Sequence, residues 1–167
     1  LNIVVTRWVV ADAGVPPIFF AGVRFLGIAL VLIPFLFPAP KQMASLFMIS
    51  MCMGAVHFAL LFLGLANAEA GAVAVTGQLG VPFATILSMI FLSEKIHWRR
   101  GLGIVLAFAG VMIIAFDPDS FSISFGLLYV VASALVGSAG GVMMKKMAPI
   151  SALQLQAWLG LFSFAPL

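Results

Sequence analysis

Charged side chains are scarce in this chain. They make up 8% of its 167 residues, about a third of the share in an ordinary soluble domain. There are five acidic residues, one tyrosine and three tryptophans. The single cysteine, Cys52, lies inside an apolar run, which excludes an internal disulfide and reads as packing. Also missing are a GxSxG elbow, an HExxH pair, a phosphate-binding glycine loop and any cluster of Cys and His ligands. No paired carboxylates or nucleophile with an adjacent base fall within the apolar runs. Together these absences argue against an enzyme and leave nothing that calls for a metal or a cofactor. No stretch alternates apolar and polar residues over about ten positions, as a membrane β-barrel would.

What is abundant is apolar sequence, 64% of the chain. It comes in successive runs of about 17 to 24 residues, each long enough to cross roughly 30 Å of hydrocarbon. The sequence therefore predicts an all-α membrane protein, a polytopic helical bundle. The net charge of +3 is topological, because the cations sit at run ends. Nucleic-acid binding would need a clustered basic face.

Seven segments can be placed. The first, residues 1–10, contains Arg7 and ends at Asp12-Ala13-Gly14, after which Pro16-Pro17 opposes continuation. The second spans 17–37, with Arg24 and Pro34, and stops before Lys41. The third spans 43–66, with His57 as its ionisable group, and breaks at Asn67-Ala68-Glu69. The fourth and fifth, 71–92 and 101–116, form a hairpin around the charged turn 93–100. The fifth ends at Asp117-Pro118-Asp119-Ser120, a run of turn formers. A sixth covers 121–144, before Lys145 and Lys146, and a seventh begins at 152. Both ends fall in apolar sequence and no Met opens the chain, so it reads as a fragment.

Basic residues occupy every second connection. Lys41, the Lys95/Arg99/Arg100 group and Lys145/Lys146 follow the second, fourth and sixth segments. The other connections hold only Asp12, Glu69, Asp117 and Asp119. Since cations are retained on the cytoplasmic side, the basic turns and the missing N-terminus are expected there, in a bacterial inner membrane.

Small residues cluster at helical spacing: Gly103, Ala107 and Gly110 on the fifth segment, and Gly137 with Gly141 on the sixth. Such faces let backbones pack closely in lipid. A homodimer is the lesser reading of them. Gly77, Gly80 and Pro82 differ, because Pro frees a carbonyl and Gly loosens the same turns; the fourth helix is expected to kink there.

The remaining polar groups lie inside the bilayer. At about 1.5 Å per residue, Arg7 sits roughly 7 Å from the outer end of its helix, Arg24 roughly 10 Å, and His57 and Gln78 roughly 12 to 14 Å. Four polar groups from four segments thus share one layer. Charge at such depth is costly unless it faces a bundle interior or a wet cavity, which makes this layer the candidate binding site. The competing readings are structural: Arg7 snorkelling or pairing with Asp12 or Glu69, His57 bonded to a backbone carbonyl, Gln78 bridging helices. Lys145 reads as a boundary anchor, Glu94 and His97 as solvated turn residues, and Trp98 as an interfacial anchor. The hydroxyls of Ser50, Thr76, Thr85 and Ser88 can bond back to helix carbonyls.

The order of motifs is familiar. Ala66-Asn67-Ala68-Glu69-Ala70-Gly71-Ala72, Pro82, Leu92-Ser93-Glu94-Lys95-Ile96 and then Gly103, Leu106, Gly110 and Val111 in a G-x-x-L-x-x-x-G-V pattern resemble the EamA-type repeat of the drug/metabolite transporter superfamily. Ser93 stands where glycine is commoner. The opening run through Asn2 and Arg7, and the entry Pro16-Pro17 to Arg24-Phe25, resemble the first and second helices of that repeat. Gly137 stands where the second repeat often has Trp.

The resemblance implies ten helices in two inverted five-helix repeats around a central cavity. Residues 1–119 would be the first repeat and 120–167 the beginning of the second. Arg7 and Lys145 hold equivalent places in the first and sixth helices yet lie near opposite faces, which inversion requires. The implied function is secondary transport by alternating access of a small polar metabolite such as an amino acid. The nearest pattern resembles exporters of the cysteine/O-acetylserine type. Arg7 and Arg24 would hold an anionic group; His57, Gln78 and Asn2 would add hydrogen bonds, with His57 also able to carry a proton. The alternatives are a sugar or nucleotide-sugar carrier of the same superfamily, which the few Trp and Tyr disfavour, and a membrane structural subunit that transports nothing.

Overall fold

The computed structural model describes residues 6, 8–9, 14–95, 97–117, 122–123 and 125–167. Six helices are labelled along the chain: α1 Pro17–Val31, α2 Met43–Asn67, α3 Ala70–Leu92, α4 Trp98–Ala115, α5 Phe125–Lys145 and α6 Ala152–Phe164. Between α4 and α5 a two-residue antiparallel ribbon pairs β1 Phe116–Asp117 with β2 Ser122–Ile123. Among the described residues, α2, α3 and α5 are long and apolar enough to cross a membrane, and α1 is a shorter apolar helix. The chain is a polytopic helical membrane protein.

Helix ends follow from local chemistry. The second segment was expected to run to residue 37, but the α-helix stops at Val31 and a 3₁₀ turn, Ile33–Leu36, follows. Pro34 causes this, since it has no N–H for the Leu30 carbonyl and its ring crowds that turn. Conversely, α4 starts at Trp98 instead of Gly101, its first turn anchored by Arg100 and Gly101 N–H donating to the His97 carbonyl at 2.9 and 3.3 Å. Arg99 and Arg100 are helical because their long stems carry the charge to water from a helical backbone.

The break in α3 falls where Gly77, Gly80 and Pro82 place it. The helix is regular over Ala70–Gly77, tightens through Gln78 and Leu79, and resumes as Gly80–Leu92. Gln78, Leu79 and Val81 each donate three residues back, to Val75, Thr76 and Gln78, at 3.0 to 3.1 Å. The Gln78 carbonyl, which Pro82 cannot serve, is satisfied by Val81 instead.

Packing is centred on α5. It lies along α2 over most of its length, touches α3 on another side, and leaves α1 and α6 to close the bundle against α2. One apolar cluster joins Ala21, Phe62, Leu65, Val73, Leu127 and Val130 across α1, α2, α3 and α5. A second joins Leu79, Ala134 and Val111, and is where α4 leans on the bundle. The faces that were expected to pack divide. Gly137 and Gly140 are pressed against α2, whereas a Cβ at Gly141, Gly103 or Gly110 would meet nothing within 4 Å. The close-packed pair is therefore three residues apart, not four, and most of the small face of α4 is open.

The basic hairpin turn also departs from expectation. Lys145 Nζ donates to Ser88 Oγ and to Glu94 Oε1, both at 3.1 Å. Lys145 and Glu94 thus tie α5 to the end of α3. Both ends of the ion pair are about half exposed, so it contributes about 1 kcal/mol at most.

Ser93 closes α3 with φ +54° and its N–H turned back to the Ser88 carbonyl. A left-handed conformation costs a side-chain-bearing residue about 1 to 2 kcal/mol, and glycine nothing. Ser93→Gly is therefore expected to raise the melting temperature of the full-length protein in detergent, and Ser93→Val to lower it. A higher melting temperature for the valine variant would contradict the strain.

Candidate functional site

Arg24 comes from the middle of α1, on the face opposite the exposed Phe19 and Val23. Its guanidinium lies over the rings of Phe58 and Phe62 on α2, 5.1 and 5.6 Å from their centres. Such stacking contributes about 0.5 to 2 kcal/mol and leaves the planar fork's N–H donors available. Among the described residues no carboxylate lies within ion-pairing distance of Arg24. It faces a cavity of about 570 Å³ inside the bundle, shared with His57, Gly77, Gly80, Ser138 and Gln156.

His57 is aimed by an irregularity in α2. The helix is α-helical over Met43–Ser50, π-helical over Met51–Val56, and α-helical again from His57. One extra residue in a turn rotates everything that follows by about 100°. Neighbours fix the irregularity: Ser163 Oγ of α6 donates to the Ser50 carbonyl at 3.0 Å, and a Cβ on Gly54 would collide with that hydroxyl.

So turned, the imidazole reaches α5. Nδ1 lies 2.9 Å from the Ser133 carbonyl and 2.8 Å from Ser133 Oγ, which itself donates to the His57 carbonyl at 2.8 Å. Because Ser133 Oγ gives its proton to the His57 carbonyl, the consistent assignment has Nδ1–H donating to the Ser133 carbonyl. Gly137 makes this possible, because a Cβ there would stand 2.8 Å from Nδ1. The carbonyl-bonded histidine read as the structural alternative is thus present, and the same ring lines the cavity.

The α3 break supplies the opposite wall. Gly77 and Gly80 put bare backbone against the cavity. Ser138 Oγ holds that backbone to α5, at 2.8 Å from the Gly80 carbonyl and 2.7 Å from the Ala134 carbonyl. Its single proton is shared between the two.

Of the residues expected to share one layer, Arg24 and His57 meet in the main cavity. Gln78 lies beside it, in a second cavity of about 220 Å³ that shares His57, Gly77 and Ala134. Arg7 and Asn2 lie outside the described residues. Gln156 and Ser138 were not singled out from sequence. Gln156 lies about one turn into α6, and only the packing of that helix shows where it faces. Hydroxyl bookkeeping holds for Ser50 and Thr85, which bond to the Leu46 and Val81 carbonyls at 2.8 and 2.9 Å. It fails for Ser88, which takes Lys145, and for Thr76, whose buried Oγ1 has no partner among the described residues.

A half-buried arginine, a histidine held by backbone and a glycine-lined helix break around one intramembrane cavity can grip a polar solute. The sequence profile of the EamA-like transporter family matches residues 1–116. The chain belongs to that family. A protein of Archaeoglobus fulgidus called an uncharacterized transporter is 30% identical over 114 residues, covering 66% of this chain and 41% of the relative. The uncharacterized transporter YoaV of Bacillus subtilis is 26% identical over 166 residues, covering 90% of this chain and 56% of the relative. The chain thus spans about half the length of the curated relatives it matches. No solved structure gives a significant match.

The glycine contacts yield a paired test on α5. Gly137→Ala forces its methyl into the His57 ring and is expected to destabilise by about 1 to 3 kcal/mol, as overpacking does. Gly141→Ala, with open space around it, is expected to be neutral or mildly stabilising. Thermal unfolding of both variants checks this, and equal losses would contradict the packing described.

Proposed function

We propose that this chain is part of a secondary transporter that exports small carboxylate-bearing metabolites such as amino acids across a bacterial inner membrane by alternating access. The observation that carries the reading is Arg24: a guanidinium within the bundle, stacked on two phenylalanines, without a carboxylate partner among the described residues and open to a 570 Å³ cavity. Ionisable groups so placed mark solute pathways, and a planar fork suits a carboxylate, which it can bind through two parallel hydrogen bonds. His57 and Gln78 supply hydrogen bonds around the remainder of the solute, and Arg7 and Asn2 are assigned to the same site by the family's first-helix pattern.

We assign residues 1–119 to the first of two inverted repeats and 120–167 to the opening of the second, with the basic turns in the cytoplasm. The rest of the cavity then comes from sequence beyond this chain, consistent with relatives of which the matched stretches cover 41% and 56%. The broken α3 fits that plan, since interrupted helices at mid-membrane are where such transporters build their sites.

The test is flux of labelled amino acids by the full-length protein in proteoliposomes. Arg24→Gln removes a charge-assisted hydrogen bond of about 1.5 to 3 kcal/mol, so KM is expected to rise at least about tenfold. Arg24→Lys, which keeps the charge without the fork, is expected to fall between. Failure to move any carboxylate solute, or an Arg24→Gln variant with native KM, would overturn the proposal.

A further inference from the structure

We propose that the groove between α3 and the first half of α4 binds one anionic phospholipid, its phosphate on Arg100 and an acyl chain between the helices. The groove encloses about 520 Å³, walled by Val81, Pro82 and Thr85 of α3 and by Arg100, Gly103 and Ile104 of α4. Among the described residues, the side chains that seat α4 on the bundle lie in its second half. There the Phe83 and Phe108 rings stack edge-on at 5.2 Å and Val111 is buried with Leu79 and Ala134. Nearer its start α4 presents Gly103, around which a Cβ would find nothing within 4 Å, so the two helices stand apart.

A gap that opens sideways into hydrocarbon is filled by something, and its size and charge select what. The groove is a slot between two neighbouring helices of one hairpin, open where Gly103 has no side chain. A single acyl chain is far thinner than a helix. The walls are apolar apart from Gln78, Thr85 and Arg100, and Thr85 already donates to the Val81 carbonyl.

The mouth is cationic. Arg100 lies in the first turn of α4, beside Arg99, whose guanidinium sits over the exposed Trp98 ring at 5.7 Å. Lys95 precedes them. The nearby carboxylate, Glu94, is engaged by Lys145. Trp98 sets this end at headgroup level, so an apolar slot leads inward from a cationic interfacial mouth. That combination fits an anionic headgroup with its tail.

The experiment reconstitutes the full-length protein in nanodiscs of phosphatidylglycerol and phosphatidylcholine, then counts retained lipid by native mass spectrometry after transfer to detergent. One phosphatidylglycerol per protein is expected in preference to phosphatidylcholine. Arg100→Gln is expected to cut that preference about fivefold, while Arg100→Lys retains most of it. Gly103→Leu, which fills the slot, is expected to lower retention of both lipids at unchanged helical content; Ile104→Trp repeats the test should that variant misfold. Equal retention of the two lipids by the native protein, or an unchanged preference in Arg100→Gln, overturns the site. A disulfide formed between two copies bearing Gly103→Cys also overturns it, because the slot would then hold protein.

Discussion

Along α5, Gly126, Val130, Ser133, Gly137 and Gly140 recur at intervals of four and three, and this seam is pressed onto α2 at Asn67, Gly64, His57 and Met53. Hypothetical methyls at Gly126, Gly137 and Gly140 would come within 2.5 to 2.8 Å of α2 atoms, and one at Gly64 within 2.5 Å of Val130. Lipid tails are as apolar as leucine, so burying side chains does not draw helices together in a membrane; close van der Waals packing and interhelical hydrogen bonds do. The seam supplies both, since the same approach that brings the backbones together sets His57 on Ser133. The remaining helices are placed against this pair.

The seam also explains why the cavity sits where it does. With α2 and α5 touching, the residues flanking their contact cannot pack inward, and α1, α3 and α6 close around the space left beside His57 and Ser138. The glycine pair in α3 keeps that wall thin, and Ser138 ties it to α5 at the level where the helix breaks. Arg24 enters from α1 on a platform of Phe58, the residue after His57, and Phe62, one turn beyond Phe58 on the same helix. The site is thus a by-product of one tight contact and one interrupted helix.

Much of this was legible in the sequence, and the reasons differ residue by residue. The hairpin, the break at Gly77 to Pro82 and the connection at Asn67-Ala68-Glu69 were readable because Pro, Gly and charge act locally. Arg24 and His57 were readable because ionisable groups in apolar runs are costly wherever they point. The π-turn at Met51–Val56 was not, since it depends on Ser163 more than one hundred residues away. The seam was misread as Gly137 with Gly141, because a four-residue spacing is the simplest close-packing pattern, while two helices crossing over many turns alternate threes and fours. Gln156 and the tie from Lys145, read only as a boundary anchor, to Ser88 and Glu94 were missed for the same reason: depth along a helix is readable from sequence, but the direction a side chain faces is set by its neighbours.

The contacts of α5 are unequal, and the inequality has a mechanical meaning. Against α2 it is locked by interdigitated backbone, where any sliding drives atoms together. Against the second half of α3 it is held by Ser138 at Gly80 and, two turns on, by Lys145 at Ser88 and Glu94. A neutral hydrogen bond contributes about 1 kcal/mol net, and a half-exposed ion pair about 1 kcal/mol at most. These polar ties add a few kcal/mol to the packing of Val73 against Leu127 and Val130 and of Leu79 against Ala134. The break at Gln78 and Leu79 lies within this contact, where Leu79 is buried against Ala134 and Ser138 holds the Gly80 carbonyl, so the interrupted turn is seated on α5 by both packing and a hydrogen bond.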